Sequence, residues 1–235
     1  GMTALAASLV STSVFAGELA VSGSASINWE NYSGNAVSST KSFSMGNQIT
    51  FSGSGELDNG LTVGLSFVLD QGDNTGTADT PFDGHSVSIS SDALGTLVFH
   101  GEGGDSAQNA VGDTAAGNIW DNFDARVTGN AALAESNASN NMIHYTLPSM
   151  VDGLTVAASY VPAGANDESD TAYALTYAGI DGLSISYGHG SDDDAAGTSA
   201  NGEATSIKAT YAYGSLTVAY SDHEYDNTTD TSDQD

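Results

Sequence analysis

The chain has no cysteine, and only three basic residues, Lys41, Arg126 and Lys208, stand against thirty Asp and Glu. No disulfide staples it, which is compatible with an oxidising or external compartment without requiring one. A formal net charge of -27 opposes any polyphosphate partner, so nucleic acid is excluded and cations are favoured. Solvation in a saline habitat explains the same acidity, and the sequence leaves both causes open. Aliphatic content is modest beside 28 glycines, which argues against a thick helical core. No window reaches the roughly 18 consecutive apolar residues of a membrane-spanning helix, so passage through a bilayer must be by strands.

Residues 2–16, MTALAASLVSTSVFA, form an apolar run of small residues that ends in Val14-Phe15-Ala16, the small-x-small pattern of a signal-peptide cleavage site. Cleavage is expected after Ala16. A basic leader segment is missing, so residues 1–16 read as a partial signal peptide, with a buried helix as the competing reading.

From Gly17 onward the dominant signal is alternation. In Leu61-Thr62-Val63-Gly64-Leu65-Ser66-Phe67-Val68-Leu69 one parity is Leu, Val, Leu, Phe, Leu and the other mostly small or polar. The pattern recurs at Leu154/Val156/Ala158/Tyr160, Tyr173/Leu175/Tyr177, Leu183/Ile185/Tyr187, Ile207/Ala209/Tyr211/Tyr213 and Leu216/Val218/Tyr220. Two architectures fit such strands: an antiparallel sandwich with a dry core, or a barrel whose apolar face meets lipid and whose small polar face meets water.

The connections discriminate between them. Strands are predicted at 18–32, 41–56, 61–70, 84–91, 95–102, 141–148, 154–162, 171–178, 183–190, 203–213 and 215–225. Every second connection is tight: Asp58-Asn59-Gly60, Asp92-Ala93-Leu94, Val151-Asp152-Gly153, Ile180-Asp181-Gly182 and Gly214. The alternate ones, 33–40, 71–83, 103–140, 163–170, 191–202 and 226 onward, are long and polar. A sandwich has no reason to sort its loops, whereas an outer-membrane barrel has short turns on one side and long loops on the other. Tyr160, Tyr177, Tyr187, Tyr211, Tyr213 and Tyr220 lie on the apolar parity near strand ends, as an interfacial girdle requires, although ordinary strand propensity also favours tyrosine. The fold class is therefore all-β, a transmembrane antiparallel up-and-down β-barrel.

Reaction chemistry is absent from the pattern. There is no nucleophile elbow, phosphate-binding loop or zinc spacing, and no enzyme activity is expected. His85, His100, His144, His189 and His223 are scattered. His100 and His144 share the lumen parity of adjacent strands; solvated singly they are inert, whereas a facing pair would make conductance sensitive around pH 6.5. Asp192-Asp193-Asp194 and the acidic tail offer weak calcium attraction without the spaced ligands of an EF-hand, so no cofactor is expected beyond loosely held Ca2+.

Four segments carry a family likeness: GELAVSGSASINWENY, FSMGNQITFSGSGELDNGLTVGLSF, GTLVFHGEGGD and NNMIHYTLPSMVDGLTVAASY. In their order and spacing the chain resembles a general bacterial outer-membrane porin of the alphaproteobacterial, Rhodobacter-like type, over residues 17–225. The resemblance implies a homotrimer in the outer membrane of a Gram-negative bacterium. Each full-length barrel would have about sixteen strands, of which about eleven are present here, so residues 17–235 read as a porin domain incomplete at its C-terminal end. A closed twelve-stranded barrel is the lesser alternative. The resemblance also implies that residues 103–140 fold inward as a constriction loop. Glu102, Asp105, Asp113, Asp121, Asp124 and Arg126 are then the pore-constriction candidates, Trp120 and Phe123 the apolar anchors of the loop, and His100, His144 and Lys208 residues of the lumen wall. The family's arginine cluster on early strands has no counterpart, which leaves a mainly negative constriction and an expectation of cation preference. The function so implied is passive diffusion of small hydrophilic solutes and ions through a water-filled channel, with lipid and lipopolysaccharide as membrane partners. A secreted acidic β-rich adhesin or calcium-dependent surface protein is the alternative; it predicts Gly- and Asp-rich nonapeptide repeats, which the chain lacks.

Overall fold

The computed structural model describes residues 19–29, 43–70, 82–111, 140–163, 169–192 and 202–227. The predicted leader at 1–16, most of the long connections and the acidic stretch 228–235 lie outside them. Among the described residues eleven strands form one sheet in chain order: β1 Leu19–Trp29, β2 Phe43–Glu56, β3 Thr62–Asp70, β4 Phe82–Ser91, β5 Gly95–Glu102, β6 Met142–Thr146, β7 Leu154–Val161, β8 Asp170–Ile180, β9 Leu183–Asp192, β10 Gly202–Tyr213 and β11 Leu216–Asn227. Among the described residues the one helical segment is a short 3-10 turn, η1, at Ala107–Val111, and no helix is long and apolar enough to cross a membrane.

Two compact units divide the chain at Ser88. In the first, β1–β3 pair antiparallel with Val21 opposite Phe51 opposite Phe67, and Ser22 opposite Thr50 opposite Val68. Because cross-strand partners share a face, the first row belongs to an apolar face and the second to a face dominated by serine and threonine. Phe67 on the apolar face stacks on His85 with ring centroids 6.4 Å apart.

The second unit, from Ile89, repeats this segregation. Thr146, Ala157, Ala174, Gly188, Ser206 and His223 are successive partners across β6 to β11. One residue along, Tyr145, Ala158, Tyr173 and His189 occupy the opposite face. The burial is inverted relative to a soluble sandwich. Ala157, Ala172, Ala174, Ala204, Ser159, Ser186 and Ser206 are buried, whereas Leu175, Ile185, Tyr211, Leu216 and Val218 are exposed. On the strands, Ile27 in the first unit is 70% exposed and Leu216 in the second 63%, both on the same parity as the other leucines and the tyrosines. An apolar surface of this extent is stable against hydrocarbon and costly against water.

The tight turns follow the sequence pattern. Gly60, Gly153 and Gly182, the glycines of the three acidic-Gly-Leu segments, all have φ between 74° and 80°, a region open to glycine and strained for other residues. Two of these turns also extend the neighbouring ladder: the Gly153 carbonyl accepts from Ala178 N at 2.7 Å and the Gly182 carbonyl from Ala212 N at 2.8 Å. The strands end within a few residues of the predicted limits. β6 is shorter, stopping at Thr146, because Pro148 has no N–H to continue the ladder. β8 is longer, running through a bulge between Tyr177 and Ile180 to the turn at Asp181.

Candidate functional site: the polar face beneath the long connection

The chain leaves β5 at Glu102 and turns at Gly103, whose φ of 72° redirects the backbone. The base of the connection is closed by two bonds. Gly103 N donates to Asn140 Oδ1 at 3.2 Å, and Asn141 N donates to the Gly101 carbonyl at 3.3 Å. Asn141 has φ 59°, a left-handed conformation that asparagine tolerates better than most residues.

The described start of the connection, through η1, lies against the polar face of the second unit, where η1 contacts β7, β8, β9 and β10. Ala107 N donates to Ser159 Oγ of β7 at 2.9 Å, and Ala107 packs with Ala157 and Ala172 in a small buried cluster. Gln108 Nε2 donates to Ser206 Oγ of β10 at 2.9 Å. Small side chains on the receiving strands make this approach possible. At Gly188 a Cβ would stand 2.7 Å from the Gln108 carbonyl oxygen.

Of the constriction candidates, Glu102 and Asp105 are described. Glu102 ends β5 on the face that carries His100, half-buried. Asp105 is exposed, and its Oδ1 accepts from Asn109 Nδ2 at 3.1 Å, a bond that ties the start of the connection to η1. Asp113, Asp121, Asp124 and Arg126, with the proposed anchors Trp120 and Phe123, lie outside the described residues. So do Lys41 and the side chains of the 192–194 aspartates.

His100 and His144 share one face without being direct partners. His100 pairs with Met142 and His144 with Val98, which makes the two histidines diagonal neighbours, positions whose Cα atoms are about 7–8 Å apart. The intervening Met142 is 1% exposed. His85 and His189 lie on the apolar face, His189 with Nδ1 2.9 Å from Thr205 Oγ1 and its ring 5.3 Å from that of Tyr173. Lys208 stands on the polar face of β10, opposite Ser186 on one side and Ser221 on the other. The described acids Glu102 and Asp105 are thus at the β5 end of η1, and the described cation is beyond it on β10. Among the described residues no group of three His, Asp or Glu side chains could hold a metal ion.

Sequence reasoning missed Gln108, Ser159, Gly188 and Ser206 as the residues that seat η1, and His223 as the partner of Ser206. Their signal was present as a run of Ala, Ser and Gly on the water parity of β7 to β10, smaller than an open polar wall demands.

The whole chain, residues 1–235, matches the Gram-negative porin family. No curated protein matches it by sequence. Among solved structures it is similar to OmpF of Salmonella typhi in a complex with daunomycin, with a TM-score of 0.62 and 13% identity over 89% of this chain and 66% of that one. It is also similar to an anion-selective porin from Comamonas acidovorans, at TM-score 0.53 and 17% identity over 80% of this chain and 62% of that one. A porin refined at 1.8 Å resolution gives TM-score 0.55 and 21% identity over 88% and 68%. The chain therefore spans about two thirds of the length of these structures. Two-faced strands with inverted burial, tight turns alternating with long connections, and the family match agree: the chain belongs to the Gram-negative porin family, all-β transmembrane barrels of the bacterial outer membrane.

Proposed function

We propose that the protein forms a water-filled channel for passive diffusion of small hydrophilic solutes and ions, with residues 103–140 as a segment that narrows the lumen. The observation that carries the reading is η1, the start of that segment, seated on the small polar face of β7–β10 rather than extending away from the strand ends. A segment on that face reduces the open cross-section and brings its charges into the solute path.

Cation preference rests on charge. One structural neighbour is an anion-selective porin, so the shared fold fixes no sign of selectivity, and fixed charges near a narrow water-filled path set which ion is enriched. Here the formal balance is thirty acids to three bases. Association as a homotrimer, contact with lipopolysaccharide and weak Ca2+ retention by acidic loops complete the proposal, supported by the family and the charge. Reversal potentials across a planar bilayer in a salt gradient test it. A potential on the cation side is expected, and one on the chloride side contradicts the selectivity.

A further inference from the structure

Gln108 is 2% exposed although it starts a long polar connection, where polar side chains ordinarily face water. Its Nε2 bond to Ser206 Oγ joins residues 98 positions apart, and the same Oγ lies 2.9 Å from His223 Nδ1 of β11. A serine hydroxyl has one donor and two acceptor sites, so Ser206 can accept from Gln108 and serve His223 together. Beneath the turn, the Gln108 Cα would be 3.0 Å and its carbonyl oxygen 2.7 Å from a Cβ built on Gly188. A side chain there would lift the turn off the wall. The apolar part of the seat is slight, since the buried cluster consists of three alanines, Ala107, Ala157 and Ala172, and burial of so little area contributes little. Directional bonds must therefore define where η1 rests.

We propose that Gln108 is the positioning residue of the narrowing segment: with Ser206 and His223 it forms a latch that holds η1 in the notch at Gly188 and keeps the channel quiet. The proposal rests on the channel reading above and adds which residues hold the loop and what their loss does. The latch reaches β10 and β11, so the loop is fixed only once those strands have joined the sheet. Loss of the Gln108 amide leaves the strand ladders intact and frees η1 to leave its seat, which is read as current flicker rather than as loss of the barrel.

The test is single-channel recording from the full chain and from Gln108→Ala, Gln108→Met, Ser206→Ala and the Gln108→Ala/Ser206→Ala double variant. Heat-dependent gel mobility monitors the barrel independently. A buried hydrogen bond shifts such an equilibrium by roughly fivefold to tenfold. Each single variant is therefore expected to raise the rate of current transitions by about that factor with unchanged gel behaviour, and the double variant by no more than the larger single effect. Fully additive effects, or Gln108→Ala and Gln108→Met channels as quiet as the wild type, overturn the latch. If Ser206→Ala does not assemble, the two Gln108 variants decide alone, because they lie outside the strands. Wild-type channels that conduct while the variants stay quiet leave the channel reading standing. A wild-type chain that gives no conductance steps overturns both.

Discussion

Thr176 Oγ1 of β8 and Ser186 Oγ of β9 lie 3.1 Å apart as direct cross-strand partners, while one residue along Leu175 faces Tyr187 on the other side of the same sheet. The two pairs define the environments that the strands separate. Leu175→Lys puts a charge on the lipid face near the middle of β8 and is expected to cost about 2–4 kcal/mol. Thr176→Lys puts the same charge on the water face and forfeits one hydroxyl contact, about 1 kcal/mol. Folding yields into lipid vesicles, read by heat-dependent gel mobility, should fall sharply for the first and little for the second. Equal losses would contradict the face assignment.

The turn glycines separate backbone strain from close packing. Gly60 and Gly153 have φ of 80° and 75°. A Cβ at Gly60 would meet nothing within 4 Å, whereas one at Gly153 would collide with the backbone of Gly179. Gly60→Ala should therefore cost about 1 kcal/mol from conformation alone. Gly153→Ala should cost about 2–4 kcal/mol, because the bulge in β8 must also move. Urea midpoints in vesicles, compared at equal slope, report the difference.

Selectivity should follow individual charges on the polar face. Lys208→Gln removes the cation between Ser186 and Ser221 and is expected to raise the cation-to-anion permeability ratio by about twofold. The Glu102→Gln/Asp105→Asn pair should lower it by a similar factor of about two. Reversal potentials in a salt gradient measure both, and shifts of the same sign would refute the assignment of these residues to the ion path.

Much of the fold was legible because lipid imposes a simple code. Alternation assigns each strand residue to one of two faces, and glycines such as Gly153 and Gly182 mark the turns that positive φ requires. The site was less legible. Asp105 is visible in the sequence as an acid in the right connection, but the wall that receives the turn is built from Ala157, Ala172, Gly188 and Ser206. Such residues look alike whether they face water or a docked loop. Gln108 carries no charge and fits no motif; its partner Ser206 is known only once β10 has been placed beneath the turn.

Val218 and Ala219 offer the most direct test of the central claim, that the small polar face lines water and the aromatic face meets lipid. They are neighbours in β11, with Val218 opposite Tyr211 and Ala219 opposite Thr210. With no native cysteine, Val218→Cys and Ala219→Cys each provide a unique thiol. A charged, membrane-impermeant thiol reagent added during bilayer recording should modify Ala219→Cys and change its unitary current, and leave Val218→Cys unaltered. A current change at Val218→Cys with none at Ala219→Cys would contradict the account.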